Sequence, residues 1–186
     1  YGNKVIFEEI NNDLDLAFQY EWSSSDKYGF IRKASLTNNG SAKEIRLLDG
    51  LQNIIPYGVG SDLQMKQSNL VDAYKRNELD TASGLGIFAL SAIIVDRAEP
   101  SEALKANIVW QKGLDNATHL VSSKQLSAFK SGNTITQETD VKAEKGAYLI
   151  SAELNLGRGE TKEWMMAADV NKNHPFVANI IQDISS

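Results

Sequence analysis

A chain of 186 residues, 42% hydrophobic and 23% charged, is long enough to close one hydrophobic core without metal or cross-links. It contains no cysteine, which excludes disulfides, thiolate zinc sites and cysteine nucleophiles. A net charge of −5 with no basic run argues against nucleic acid and anionic membranes as partners, and no stretch reaches the ~18 apolar residues of a membrane span.

The chain starts at Tyr1 rather than Met, which reads as a processed or excised piece. Residues 5–10 are of β type, and Asn11-Asn12 suit a tight turn. Leu14, Leu16, Phe18 and Tyr20 then recur at period two, the mark of a strand with one buried face. Residues 23–29 read as a loop and residues 30–36 as the next strand. Thr37-Asn38-Asn39-Gly40 carries an Asn-Gly turn signal, and the strand around Ile45 and Leu47 completes an expected hairpin. Gly40 and Gly159 are expected to supply positive φ at their turns. Residues 51–60, with Pro56 and two glycines, read as irregular.

Ser61 and Gln64 have capping-box spacing and open an expected short helix within residues 61–72. Residues 73–80 and 84–95 read as two strands, followed by a polar loop at 96–102. Residues 104–111 form another, with Ala106, Ile108 and Trp110 on one face. Ser122 and Gln125 suggest a second capping box for a helix over 122–130, ended by Gly132. Residues 147–156 and 161–170 are the last strands, joined by Leu156-Gly157-Arg158-Gly159-Glu160.

The C-terminal helix has the clearest signature. Asn173 or His174 can cap it, and Pro175 suits its first turn. Phe176, Val177, Ile180, Ile181 and Ile184 lie on one face. This helix either packs on the sheet or leads from a sandwich of residues 1–172, through residues 173–186, to a linker or an absent domain. Eight to ten closely spaced strands, with two or three short helices and the C-terminal one, predict an all-β antiparallel β-sandwich rather than a βαβ fold.

Chemistry is sparse. His119 and His174 are isolated in sequence, so structural roles suit both, and no metal site is expected. Gly84-Leu85-Gly86 lacks the third glycine and the following helix of a dinucleotide site, and no cofactor is implied. Two polar stretches, residues 72–78 and 96–102, mix charges of both signs. Salt bridges are their ordinary reading. The functional reading is a polar patch meeting a sugar or a partner domain, with Asp72, Tyr74, Arg76, Asp96, Arg97 and Glu99 as contacts. Sugar rings stack on exposed aromatics. Trp22 and Tyr57 sit near loops and are the candidate pair, whereas Trp110 and Trp164 lie inside β-type runs and suit the core.

Phe30-Ile31-Arg32-Lys33-Ala34-Ser35-Leu36-Thr37-Asn38-Asn39-Gly40, with Glu44-Ile45-Arg46-Leu47-Leu48-Asp49-Gly50, resembles a strand–turn–strand of the N-terminal β-sandwich in cellobiose-phosphorylase-like proteins, the glycoside hydrolase family 94 group. Leu154-Asn155-Leu156-Gly157-Arg158-Gly159-Glu160 resembles the penultimate turn of that domain, and the C-terminal helix its exit toward the linker. The resemblance implies a super-sandwich related to galactose mutarotase, and a helical catalytic domain further along the parent chain that carries the general acid. No catalytic residue carries over. The implied role is a non-catalytic domain that shapes an active-site entrance or a dimer interface of a carbohydrate-active enzyme. A free-standing carbohydrate-binding module and a small mutarotase-like enzyme are the alternatives. The candidate partners are a carbohydrate, the helical domain of the parent chain and a second copy in a homodimer. A cytoplasmic and a periplasmic setting fit equally.

Overall fold

The computed structural model describes residues 2–91 and 105–185. Among them run β1 (Lys4–Asn11), β2 (Leu16–Ser25), β3 (Gly29–Asn38), β4 (Lys43–Ile54), α1 (Ser61–Lys66), α2 (Ser68–Ala73), β5 (Lys75–Asp80) and β6 (Leu85–Leu90). There follow β7 (Ala106–Lys112), β8 (Thr118–Ser122), α3 (Leu126–Lys130), β9 (Asp140–Lys142), β10 (Gly146–Leu156), β11 (Thr161–Lys172) and α4 (His174–Ser185). The architecture is the expected all-β antiparallel sandwich. Among the described residues one sheet has eight strands in the order β1-β2-β3-β11-β7-β6-β5-β9, and the other has three in the order β4-β10-β8.

The main core lies between the sheets. Ala34, Leu36, Phe88, Val109, Trp164 and Met166 of the large sheet meet Val121, Tyr148, Ile150, Leu154 and Leu156 of the small one. The opposite face of the large sheet is covered in part by α4. There Ile180 is buried, and Phe176, Val177, Ile181 and Ile184 pack on Ile31, Leu85, Ile108, Trp110 and Ala167. The helix therefore packs on the sheet. Asn173 caps it, its Oδ1 accepting from the Phe176 N–H at 3.1 Å.

Several local expectations yield to tertiary structure. The Asn39-Gly40 segment is no hairpin turn, because β3 and β4 belong to different sheets. Asn38 is fully buried and donates from Nδ2 to the carbonyls of Ser41, Leu156 and Gly157. That bonding holds the chain in an arch that crosses between sheets. Gly40 does not adopt positive φ; a Cβ there would lie 2.6 Å from Asp15 Oδ2, so the glycine permits a close approach instead. Gly159 does take positive φ, at 78°. It belongs to a second arch, from β10 to β11, which also changes sheets.

Neither expected capping box forms. No side chain caps α1, and Ser122 ends β8 four residues before α3 begins at Leu126. Ser122 Oγ bonds instead with Glu138. Leu14 lies in the turn between β1 and β2, so the buried alternation starts at Leu16. Residues 51–54 continue β4 rather than breaking it, and β2 runs on to Ser25.

The free edges differ. β9 closes one end of the large sheet with only three residues, two of them charged. At the other end β1 is eight residues long and exposed throughout.

Candidate functional site

The period-two face of β2 turns toward the small sheet. Leu16, Phe18 and Tyr20 pack on the main core, while Trp22 lies beyond it and is half-buried. Trp22 sits directly opposite Arg32 of β3 and Val5 of β1. Opposite residues in antiparallel strands share a face. Tyr20 stacks on Phe7 of β1 with ring centroids 4.9 Å apart, and the Arg32 guanidinium lies 4.5 Å from the centre of the Tyr20 ring.

Across from these side chains runs the end of β4. Together Tyr20, Trp22, Arg32, Gly50, Gln52 and Asn53 line an open cleft of about 520 Å³, with Leu51 and Ile54 completing it. Gln52 and Asn53 are exposed. Asn53 has φ of 57° and is the unpaired residue of a bulge between Gln52 and Ile54, a conformation that asparagine tolerates. Gly50 is required by packing: a Cβ would fall 2.1 Å from the Tyr148 carbonyl oxygen.

The floor of the cleft is electrostatic. Arg32 pairs with Asp49 at 2.6 Å, and the same carboxylate oxygen, Oδ2, accepts from Trp164 Nε1 at 2.7 Å. Both charged side chains are less than a tenth exposed. Asp49 belongs to β4 and its two donors to β3 and β11, so one carboxylate bridges the sheets. Arg32 is thereby fixed, with its guanidinium held between Asp49 and the Tyr20 ring.

Of the described residues singled out in the sequence, only Trp22 enters this cleft. Tyr57 is 42% exposed but stands apart from it, with Lys105 Nζ 5.2 Å from its ring centre. Asp72 is tied to the buried Lys75 at 2.7 Å and to Gln64. Burial pushes its carboxyl up, and the bonds from Lys75 and Gln64 together pull it below the ordinary range. Arg76 pairs with Glu78 at 2.9 Å and with Asp140 at 3.0 Å, and the Arg76 bond holds Asp140 below its usual value. Tyr74 is half-buried, and its carbonyl accepts from Ser91. The stretch from 72 to 78 is therefore the salt-bridged junction of α2 and β5. Asp96, Arg97 and Glu99 lie outside the described residues. Trp110 and Trp164 are in the core, as expected.

Neither histidine lines the cleft. His119 lies tilted against Tyr148, with ring centroids 5.8 Å apart, and leaves Nε2 buried and unpartnered beside Gly84. His174 is exposed at the start of α4. Among the described residues, no group of three or more His, Cys, Asp or Glu could hold a metal ion.

Burial pushes the His119 pKa below its ordinary 6.5. The unfolded chain thus takes up this proton at higher pH than the folded one. Stability is expected to decline as pH falls through about 6.5, at no more than about 1.4 kcal/mol per pH unit from this group. Urea unfolding from neutral pH to about 5 checks this: His119→Gln should lose less stability than the parent over that window. Parallel losses would rule the effect out.

Arg32, Asp49, Gln52 and Asn53 escaped the sequence reading. The available signal was Arg32 itself, a cation on the face shared with Phe30, Ala34 and Leu36. No protein-family model matches this sequence, and no curated protein matches it either.

Proposed function

We propose that this chain is a non-catalytic β-sandwich that binds carbohydrate in the Trp22 cleft, in the service of a larger carbohydrate-active enzyme. The supporting observation is the composition of that cleft. A half-exposed indole lies beside a tyrosine ring on one wall, a fixed guanidinium on the floor, and two exposed amides on the other wall. A sugar ring offers an apolar face of C–H groups for stacking and a rim of hydroxyls for planar donors and acceptors. Aromatic surface with a few placed polar groups, in a cleft of this size, is the usual make-up of a small-ligand site. The similarity of residues 30–50 and 154–160 to the N-terminal domain of cellobiose-phosphorylase-like proteins points to the same substrate class. The mutarotase-like alternative needs a histidine paired with a carboxylate in a cleft. His119 Nε2 is instead buried and unpartnered beside the Tyr148 ring.

The test is intrinsic fluorescence during titration with mono- and oligosaccharides. Of the three tryptophans, Trp110 and Trp164 are buried, so a ligand-dependent change reports on Trp22. Trp22→Ala, followed by titration calorimetry because it removes the reporter, is expected to weaken binding about tenfold or more, and Gln52→Ala by a smaller factor. Binding that survives Trp22→Ala unchanged, or no response to any sugar, would overturn the reading. An assay of the same preparations against disaccharides, with and without phosphate, should give no turnover above buffer.

A further inference from the structure

The protein protects its sheet edges unequally. β9 ends the large sheet with a short charged strand. The β8 edge of the small sheet is covered where Glu138 accepts from the N–H groups of Val121 and Ser122 at 2.9 and 2.8 Å. Among the described strands, none pairs with the outer edge of β1. That edge is long and carries Val5, Ile6, Phe7 and Ile10, each about half exposed. An unpaired, apolar edge strand is a template for another strand, and soluble proteins ordinarily blunt it with charge, bulge or proline. Here the edge carries Lys4, Glu8 and Glu9, yet Val5 and Phe7 stand on one face and Ile6 and Ile10 on the other, so apolar groups are exposed on both.

We propose that two copies of this chain pair antiparallel along β1, in the register that sets Ile6 against Ile6 of the second copy. The strand's own sequence selects both occupant and register. A two-fold axis perpendicular to the sheet keeps each face on its own side, so a residue can stand opposite only one of the same parity. Centred on Ile6, Lys4 faces Glu8 of the second copy and Val5 faces its Phe7. Both relations occur twice by symmetry. Every pair among residues 4–8 is then apolar on apolar or cation on anion, and Glu9, Ile10 and Asn11 extend past the paired segment. Centred on Phe7, Val5 faces Glu9 and Ile6 faces Glu8, which sets apolar groups against carboxylates. Centred on Glu8, that carboxylate faces itself, and like charges directly opposite are destabilising. Centred on Val5, the pairing shortens and Lys4 faces Ile6. Lys4 already holds Glu21 of β2 at 3.0 Å, so in the dimer it sits between two carboxylates. The product is a continuous sheet through both copies, with the Trp22 clefts of the pair on the same side.

Light scattering on the purified chain should give the dimer mass, falling to the monomer on dilution. Lys4→Glu puts carboxylates opposite one another at two places and is expected to raise the dimer dissociation constant about tenfold. Combining Lys4→Glu with Glu8→Lys restores the opposite-charge pairs and should restore dimerisation. The absence of native cysteine makes cross-linking clean. Ile6→Cys should form an intermolecular disulfide on mild oxidation, because opposed Cα atoms at about 4.5–5.5 Å suit that bond. Ile10→Cys, on the same face but far from the axis, should not. A chain that is monomeric at every accessible concentration overturns the proposal. So does equal cross-linking through Ile6→Cys and Ile10→Cys, or a charge-swapped double variant as weak as Lys4→Glu alone. Circular dichroism of each variant separates lost pairing from lost folding.

Discussion

Asp49→Ala is expected to lower the unfolding free energy by about 3–5 kcal/mol, the range seen when one member of a buried ion pair is removed. The geometry explains so large an effect from one small side chain. Asp49 Oδ2 accepts from both Arg32 and Trp164. Without it the Arg32 side chain, only 7% exposed, keeps its charge but has no counter-ion, and the indole N–H loses its acceptor. The rings of Tyr20 and Phe18, 4.5 and 5.9 Å from the guanidinium, hold Arg32 in place and hinder its escape to water. Asp49→Asn can retain the bond from Trp164 and should cost less. The double change Arg32→Met with Asp49→Leu should recover the part of the loss due to the unpaired charge, since apolar replacement of a buried pair is often close to neutral, while the Trp164 N–H stays without its acceptor. Urea unfolding measures all three, with an unchanged slope against denaturant confirming the same transition. A loss below about 1 kcal/mol for Asp49→Ala would mean that the pair is not what joins the sheets here.

Tyr148→Ala should cost a similar amount, about 3–5 kcal/mol, for a different reason. Tyr148 is wholly buried at the centre of the main core, with Gly86 beneath its ring: a Cβ on Gly86 would lie 2.7 Å from Tyr148 Cδ2. Truncation leaves a cavity that β-sheet neighbours cannot collapse to fill. The hydroxyl donates to the Gly84 carbonyl at 2.7 Å, and burial drives its pKa far above the ordinary tyrosine value, so it remains a neutral donor at every working pH. Tyr148→Phe keeps the ring and orphans that carbonyl, with an expected cost of about 1–3 kcal/mol. The difference between the two variants measures packing against hydrogen bonding. Equal costs would show that the hydroxyl, not the ring, sustains the core.

The sequence was informative where local pattern and tertiary burial agree. Leu16, Phe18 and Tyr20 alternate because one side of β2 faces the core, and the i, i+1, i+4, i+5 spacing in α4 marks the face that meets the large sheet. It misled where a local signal had a stronger distant competitor. Asn39-Gly40 has the chemistry of a hairpin turn, yet the buried Asn38 amide binds carbonyls more than a hundred residues away. No periodicity encodes that choice. The cleft was half legible for the same reason. Trp22 stood out by residue type. Arg32, Asp49, Gln52 and Asn53 acquire meaning only when β3 and β4 of different sheets are brought together.

The two arches also set the order in which the chain can fold. β3 pairs with β11 and β4 with β10, so Ile31 waits for Ala167 and Ile45 for Leu154. As the chain leaves the ribosome, the β1-β2-β3 meander and the β5–β6 hairpin can form early from near neighbours. The sandwich cannot close until β11 has emerged. Contacts this distant in sequence are slow to form, typically milliseconds to seconds. During that wait the inner faces of β2 and β3, with Phe18, Tyr20 and Leu36, stand open to water and to other nascent chains. The sandwich thus closes late, once β11 is available to pair with both β3 and β7, and until then the early meander keeps an apolar face uncovered.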